Sequence, residues 1–248
     1  MDNAESLAGW AALLADRTRA AFCLALLDGR AWTVGELARH AGVAVSTASE
    51  HADRLVAGGL LAQRKQGRHR YLQLAGPEVA ALIETVAAAG APAPPEPVVS
   101  LSAAHRRRNL AFARTCYDHL AGFLGVAVAD AMTADGLVSR SHGLTVTPRG
   151  TAWLAANGVA WDRSSRRPVV RECLDWTERR SHLAGSVGAA ICAHAFEAGW
   201  IVRIGTGRAV KVTGAGARAL EDQLGVVIGP GRDSPGAAPA VPAGARPR

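Results

Sequence analysis

Apolar positions in residues 4–28 recur at helical spacing and break near Ala15-Asp16, which predicts a pair of short amphipathic helices. From Thr33 the pattern shortens. Thr33-x-x-Glu36 forms a capping box, Leu37 and Ala41 face inward, and Gly42 supplies a sharp turn. A second helix is expected from about Ser46 to Ala57, with Ala48, Ala52, Leu55 and Val56 on its buried side. Gly58-Gly59 stops it, because glycine past the last turn adopts the left-handed conformation cheaply. Leu60-Leu61 then opens a strand that turns at Gln66-Gly67 and returns over Arg68 to Gln73. A further helix is predicted at about Pro77 to Ala89, before the proline-rich run Gly90 to Pro97 that no helix can continue through.

Beyond that run the pattern repeats itself. Arg114-x-Cys116-x-Asp118 is echoed by Arg171-x-Cys173-x-Asp175, and His119-Leu-Ala-Gly122-x-x-Gly125 by His182-Leu-Ala-Gly185-x-x-Gly188. The second copy carries an insertion, Trp176 to Ser181. Gly136-Leu137-Val138 matches Gly199-Trp200-Ile201, and Thr147-Pro-Arg-Gly150 matches Thr213-Gly-Ala-Gly216. Each copy reads as helix, helix, strand or hairpin, then a Thr-capped helix. The expected fold is mainly α with small β-hairpins, an α+β class: a winged helix-turn-helix followed by a tandem winged-helix-like repeat. The expected boundaries are 1–90 for DNA binding and dimerisation, 91–100 for a linker, and 101–228 for a duplicated effector or interaction region. Its copies span about 101–160 and 161–228, and residues 229–248 form a Gly/Pro/Ala-rich tail expected to be disordered.

The polar face of the 46–57 helix carries Ser46, Thr47, Ser49, Glu50 and His51, short or flat side chains suited to base edges and phosphates. The hairpin beside it carries Arg64, Lys65, Arg68, His69 and Arg70 near its tip, placed for phosphate or minor-groove contact. The alternative readings are a solvated helix face and a hairpin whose charges discourage edge pairing. Residues 7–75 resemble the winged helix-turn-helix domain of the arsenic-repressor (ArsR) family of bacterial transcription regulators. The resemblance rests on Leu14-Ala15-Asp16-x-Thr18-Arg19, Glu36-Leu37-Ala38, Ser49-x-His51, Gly58-Gly59-Leu60 and Gly67-Arg68-x-Arg70-Tyr71. It implies a repressor that binds a double-stranded DNA operator as a homodimer, with the first helices and the helix after the wing building the interface. Ala44 stands where a serine often caps the reading helix, so Ser46 is the candidate cap, and Ala52 stands where leucine is usual.

The resemblance also raises a metal or small-molecule effector. Cys116, Asp118 and His119, with Cys173, Asp175 and His182, supply thiolate, imidazole and carboxylate donors, and two Cys with two His suit a soft ion such as zinc, cadmium or lead. Against this, the family's Cys-x-Cys is replaced by Leu37-Ala38-Arg39-His40, and residues 77–89 hold no Asp-x-His pair. On a helix Cys116 and His119 would share a face, whereas Cys173 and His182 would do so only across a break, which argues against one closed site. The other reading packs both thiols as small hydrophobes and makes Arg114–Asp118 and Arg171–Asp175 local ion pairs. Trp153, Trp161, Trp176, Trp200 and Tyr117 read as core or as an organic pocket, and the four glycines as places where two helices approach closely.

Composition narrows the classes. The chain is 49% hydrophobic and 20% charged, ordinary for a globular protein, with no stretch apolar enough to span a bilayer, so no membrane partner and a cytoplasmic location are expected. The four cysteines are then expected as thiols. Net charge is +7, yet residues 1–90 hold nine Arg/Lys and nine Asp/Glu, so DNA affinity must come from the local wing cluster. There is no nucleophile elbow, phosphate loop or paired acidic cluster with a base, so an enzyme is not expected.

Overall fold

The structure, a computed structural model, describes residues 3–67, 69–89, 101–141, 143–162, 167–205 and 207–229. The linker expected at 91–100, the tail beyond Gly229 and the wing residue Arg68 lie outside these. The first half runs α1 (Asn3–Leu14), α2 (Arg17–Leu26), β1 (Trp32–Thr33), α3 (Val34–Ala41), α4 (Val45–Ala57), β2 (Leu61–Gln66), β3 (His69–Leu74) and α5 (Pro77–Ala89). Asp16 caps α2 by accepting from the Arg19 amide at 2.9 Å. The Thr33/Glu36 capping box is formed, and Gly42 closes α3 at φ 69°. The three strands pair antiparallel in the order β1-β3-β2, with Lys65 opposite Arg70 and Gln66 opposite His69 at the wing tip. Phe22, Leu26, Leu37, Ala48, Leu55, Leu60 and Leu72 fill the core between these elements, each 1% exposed or less.

The second half runs α6 (Leu101–Phe112), β4 (Arg114–Cys116), β5 (His119–Ala121), α7 (Gly122–Ala134), β6 (Val138–Ser139), β7 (Thr145–Val146) and α8 (Pro148–Ala156). It continues with β8 (Arg171–Leu174), β9 (Ser181–Ala184), α9 (Gly185–Glu197), β10 (Ile201–Arg203), β11 (Val210–Val212) and α10 (Gly214–Leu224). The order hairpin, helix, hairpin, helix therefore occurs twice. In both copies the predicted threonine caps the last helix: Thr147 accepts from Gly150 N at 2.9 Å and donates to Gly136 O, and Thr213 accepts from Gly216 N at 3.0 Å and donates to Gly199 O.

Three expectations are corrected here. The segments 114–121 and 171–184 are hairpins, not helices, so Cys116 lies opposite His119 and Cys173 opposite His182 across antiparallel strands. The expected i, i+4 ion pairs are consequently replaced by crossed ones. Arg114 bonds Asp175 at 2.8 Å, and Arg167 bonds Asp118 at 2.6 Å. Gly122 does stand where α7 closely approaches α6, a Cβ there lying 2.6 Å from Ala111 O, but Gly125 and Gly188 do something other than bring two helices together. A Cβ on Gly125 would stand 2.5 Å from Leu120 O and 3.5 Å from the His182 Cβ, and one on Gly188 would stand 2.5 Å from Leu183 O and 3.5 Å from the His119 Cβ. Each hairpin lies on the helix of the other copy, while the glycine lets each helix close onto a carbonyl of its own copy's hairpin. Trp153, Trp161 and Trp200 pack at the margin of the shared core of Leu124, Met132, Leu154, Val187 and Ile201, while Trp176 is 43% exposed beneath the Arg114 guanidinium.

The two halves touch along α5 and the end of α2. Tyr117 N donates to Leu27 O at 2.8 Å, and Arg179 reaches Ala88 O at 3.0 Å. Among the described residues no helix is long and apolar enough to cross a membrane.

Candidate nucleic-acid interface and buried Cys/His cluster

The reading helix α4 starts one residue earlier than expected. Ala44 occupies the N-cap position with no side-chain cap, so Ser46 is inside the first turn and does not take over that role. Uncapped amides at a helix N-terminus favour an anionic partner such as phosphate. Ser46 and Glu50 are exposed, Thr47 and Ser49 half-buried at the edge of the same face. Val45, which the sequence pattern leaves outside the helix, is 60% exposed beside them. His51 points back into its own domain: its Nδ1 lies 3.7 Å from Asp16 Oδ1 and 3.5 Å from Arg19 Nη1.

On the wing, Arg64, Lys65 and His69 are exposed. Arg70 is drawn instead onto Asp53 of α4 at 2.6 Å, where it braces wing to reading helix. The wing thus presents three of its predicted basic side chains to solvent, while Arg68 is outside the described residues.

The second constellation is internal. Cys116 and His119 from the first hairpin meet Cys173 and His182 from the second, and all four potential ligand atoms lie within 4.8 Å of one another, all buried. The imidazoles face each other, Nε2 to Nε2 at 3.1 Å. Their other ring nitrogens are turned toward carboxylates: His119 Nδ1 lies 3.3 Å from Asp118 Oδ1, and His182 Nδ1 lies 3.2 Å from Asp175 Oδ2, off the line of a full hydrogen bond. Small side chains, Ala121 and Ala184, complete the wall beside the two thiols.

Asp175 is fixed from several directions. Its Oδ2 accepts from Arg114 Nη2 and Gly122 N, and its Oδ1 from the Thr177 amide and hydroxyl and from Glu178 N. Burial opposes its charge, but the His182, Arg114 and Thr177 interactions outweigh burial and hold the carboxyl well below its ordinary range. Burial, with the Cys173 thiol and the Glu84 charge alongside, pushes the Cys116 thiol well above its ordinary value. Burial likewise opposes charge on His119, yet hydrogen bonding to Asp118 and Cys116 carries its pKa up to about 9. His182 moves up for the same kind of reason, through Asp175. At 3.1 Å the two Nε2 atoms have room for only one proton between them, so one ring must accept where the other donates.

Glu84 of α5 was not singled out in the sequence. It is 5% exposed, its Oε2 accepts from Cys173 Sγ at 3.4 Å, and its Oε1 is buried with no partner. The only trace in the sequence was an acidic residue among apolar ones on a helix otherwise rich in Ala, Val, Leu and Ile.

A family model described as a helix-turn-helix domain matches residues 14–64. The HTH-type transcriptional regulator YdfF of Bacillus subtilis (strain 168) is 38% identical over 226 residues, covering 90% of this chain and 99% of that one. Among solved structures, the homodimeric winged helix-turn-helix domain of Mb0332 from Mycobacterium bovis, described as a possible ArsR-family regulator, is 32% identical. It covers 33% of this chain and 75% of its own, with a TM-score of 0.31. The cadmium sensor CMTR from Mycobacterium tuberculosis is 35% identical over 38% of this chain and 98% of its own, with a TM-score of 0.30. With its capping box, reading helix and basic wing in place and a relative matched almost end to end, the chain belongs to the HTH-type transcriptional regulators.

Proposed function

We propose that this DNA-binding regulator is a homodimeric repressor whose affinity for its operator responds to a soft divalent metal ion held by Cys116, His119, Cys173 and His182. Residues 1–90 form the reading and dimerising half in this scheme, and residues 101–228 the effector-binding half. The observation that carries the effector assignment is the convergence of four buried N and S donors within 4.8 Å. Two thiolates and two neutral imidazoles make a tetrahedral set that balances a dication's charge, which a buried site requires. Asp118 and Asp175, on the far nitrogens, favour the tautomer that turns Nε2 inward, the usual outer support of a metal-binding histidine. A plain core packing of the thiols gives no reason for two histidines and the Asp175 carboxylate to be buried beside them. The ion class is zinc or cadmium, with thiolate-loving lead as the variant the same donors tolerate.

For DNA, α4 would enter the major groove with Ser46, Thr47, Ser49 and Glu50 at base edges and Val45 against a thymine methyl, while Arg64, Lys65 and His69 flank it on phosphates. Arg70 and His51 serve mainly to hold wing and reading helix in place. The dimer assignment draws support from an apolar surface on α1, α2 and α5, where Leu7, Leu24, Leu82 and Val86 are 72%, 38%, 40% and 52% exposed. Two such reading heads would address half-sites roughly 34–36 Å apart.

The test uses full-length protein purified with reductant. Co(II) titration should show one equivalent per chain with tetrahedral ligand-field bands and sulfur-to-metal charge transfer, both lost in the Cys116→Ser/Cys173→Ser variant. Cd(II) should then change affinity for a selected operator in a mobility-shift titration. Absence of stoichiometric binding, or operator affinity indifferent to Cd(II), would overturn the effector assignment; a monomer at micromolar concentration would overturn the dimer.

A further inference from the structure

Resting on that metal-responsive reading, we infer that Glu84 is the mechanical link between the Cys/His cluster and the DNA-binding half. It is the one side chain of the first half that an observed hydrogen bond joins to this cluster among the described residues, through Cys173 Sγ at 3.4 Å. It belongs to α5, and α5 has three different faces. Ala80 and Ile83 pack into the winged-helix core. Leu82 and Val86, one turn apart, are exposed. Glu84 is turned to the second half, as is Ala88, whose carbonyl accepts from Arg179 at 3.0 Å. A displacement felt at Glu84 is therefore felt at once by the reading domain and by the exposed apolar face.

The carboxylate is placed to respond. Its Oε2 is committed to the thiol and lies 3.8 Å from Arg171 Nη2, while its Oε1 is buried without a partner. Were Cys173 to hold the ion, it would do so as a thiolate, its proton passing to solvent. The thiol then no longer donates to Glu84. The carboxylate left beside a thiolate recovers a partner by swinging toward Arg171, and that movement shifts or clamps α5. A buried acceptor that loses its donor is costly to leave as it was. Occupancy of the cluster and the setting of α5 thus bias one another, as reciprocal coupling between two sites requires.

The experiment compares wild type with Glu84→Gln, which keeps the shape and loses the charge, and Glu84→Ala. Co(II) stoichiometry and charge-transfer spectra are recorded first, then operator affinity with and without Cd(II). Wild type should show a change in operator affinity of roughly 5-fold or more on adding Cd(II). The variants should still bind one Co(II) with thiolate charge transfer and still bind operator without metal, but the Cd(II) effect should shrink to within about 2-fold. A variant that keeps the wild-type effect overturns the link. A wild type that binds no Co(II) fails at the first step, which overturns the metal reading itself and this link with it. Should Glu84→Ala not fold, Glu84→Gln alone decides.

Discussion

Along α4 and the wing, Ser46, Glu50, Arg64, Lys65 and His69 stand in solvent, whereas Arg114, His119, Asp175 and His182 of the second half are each at most 1% exposed. Both halves are built from hairpins and short capped helices, so the difference lies in where polar groups point. A duplex is large and arrives from outside; the groups that meet it must wait hydrated and give up water only on contact. An ion is small and loses to water unless it is surrounded, so its donors must already be enclosed and held by other groups. The ion pairs divide in the same way. Arg70–Asp53 braces a surface, with Asp53 61% exposed, while Arg114–Asp175 is wholly buried.

That contrast can be broken or sharpened by mutation. The largest effect is expected at Asp175: Asp175→Asn strands the Arg114 charge in the interior and should cost about 3–5 kcal/mol, read as a lowered urea midpoint. A cost under about 1 kcal/mol would show that the interior of the second half is wetter than its burial implies. Next comes Asp118→Asn, which loosens the support of His119 and should weaken Co(II) or Cd(II) binding by about 10–100-fold by competition with a chelator, the thiolate bands persisting. Unchanged affinity would mean that Asp118 serves Arg167 alone.

In the outward-facing half, Thr47→Ala and Ser49→Ala should shift base preference by roughly 1–3 kcal/mol at one or two operator positions in a binding selection, while total affinity for competitor DNA stays level. Arg64→Ala/Lys65→Ala should do the reverse, lowering affinity for every sequence and flattening the log–log salt slope by about 0.9 for each phosphate no longer neutralised. Indistinguishable profiles from the two variant pairs would refute the assignment of base-reading and phosphate-binding roles. The smallest effect belongs to Asp53→Asn, expected at about 0–1 kcal/mol because solvent screens the Arg70 pair. Equal losses from Asp53→Asn and Asp175→Asn would erase the distinction between the halves.

Much of the first half was legible in the chain because its determinants are local. The Thr33/Glu36 box, the Gly42 turn, the break at Asp16 and the span Pro77–Ala89 each depend on residues within a few positions of one another. The start of α4 was misplaced by one residue because Ala44 offers no side-chain cap to read. The second half was legible as a repeat, with a strand or hairpin before each Thr-capped helix, but the first hairpin of each copy was not legible as one. The strands of those first hairpins are three or four residues long, too short for alternation to show. The first hairpin turns on Tyr117 at φ 58°, without the glycine or asparagine that normally marks such a turn, and the Leu27 carbonyl of the other half holds it there.

What the amino-acid order alone determined is the set of parts: a capped helix pair, a basic wing, and a Cys/Asp/His motif written twice. Bringing the two motifs together was a tertiary decision. Cys116 and Cys173 are 57 positions apart, His119 and His182 63 apart, and they converge because each hairpin packs on the helix of the other copy. Glu84 joined them by the same means, through the packing of α5 against β8. Local periodicity records which side of an element is buried; only the packed chain determines what it is buried against.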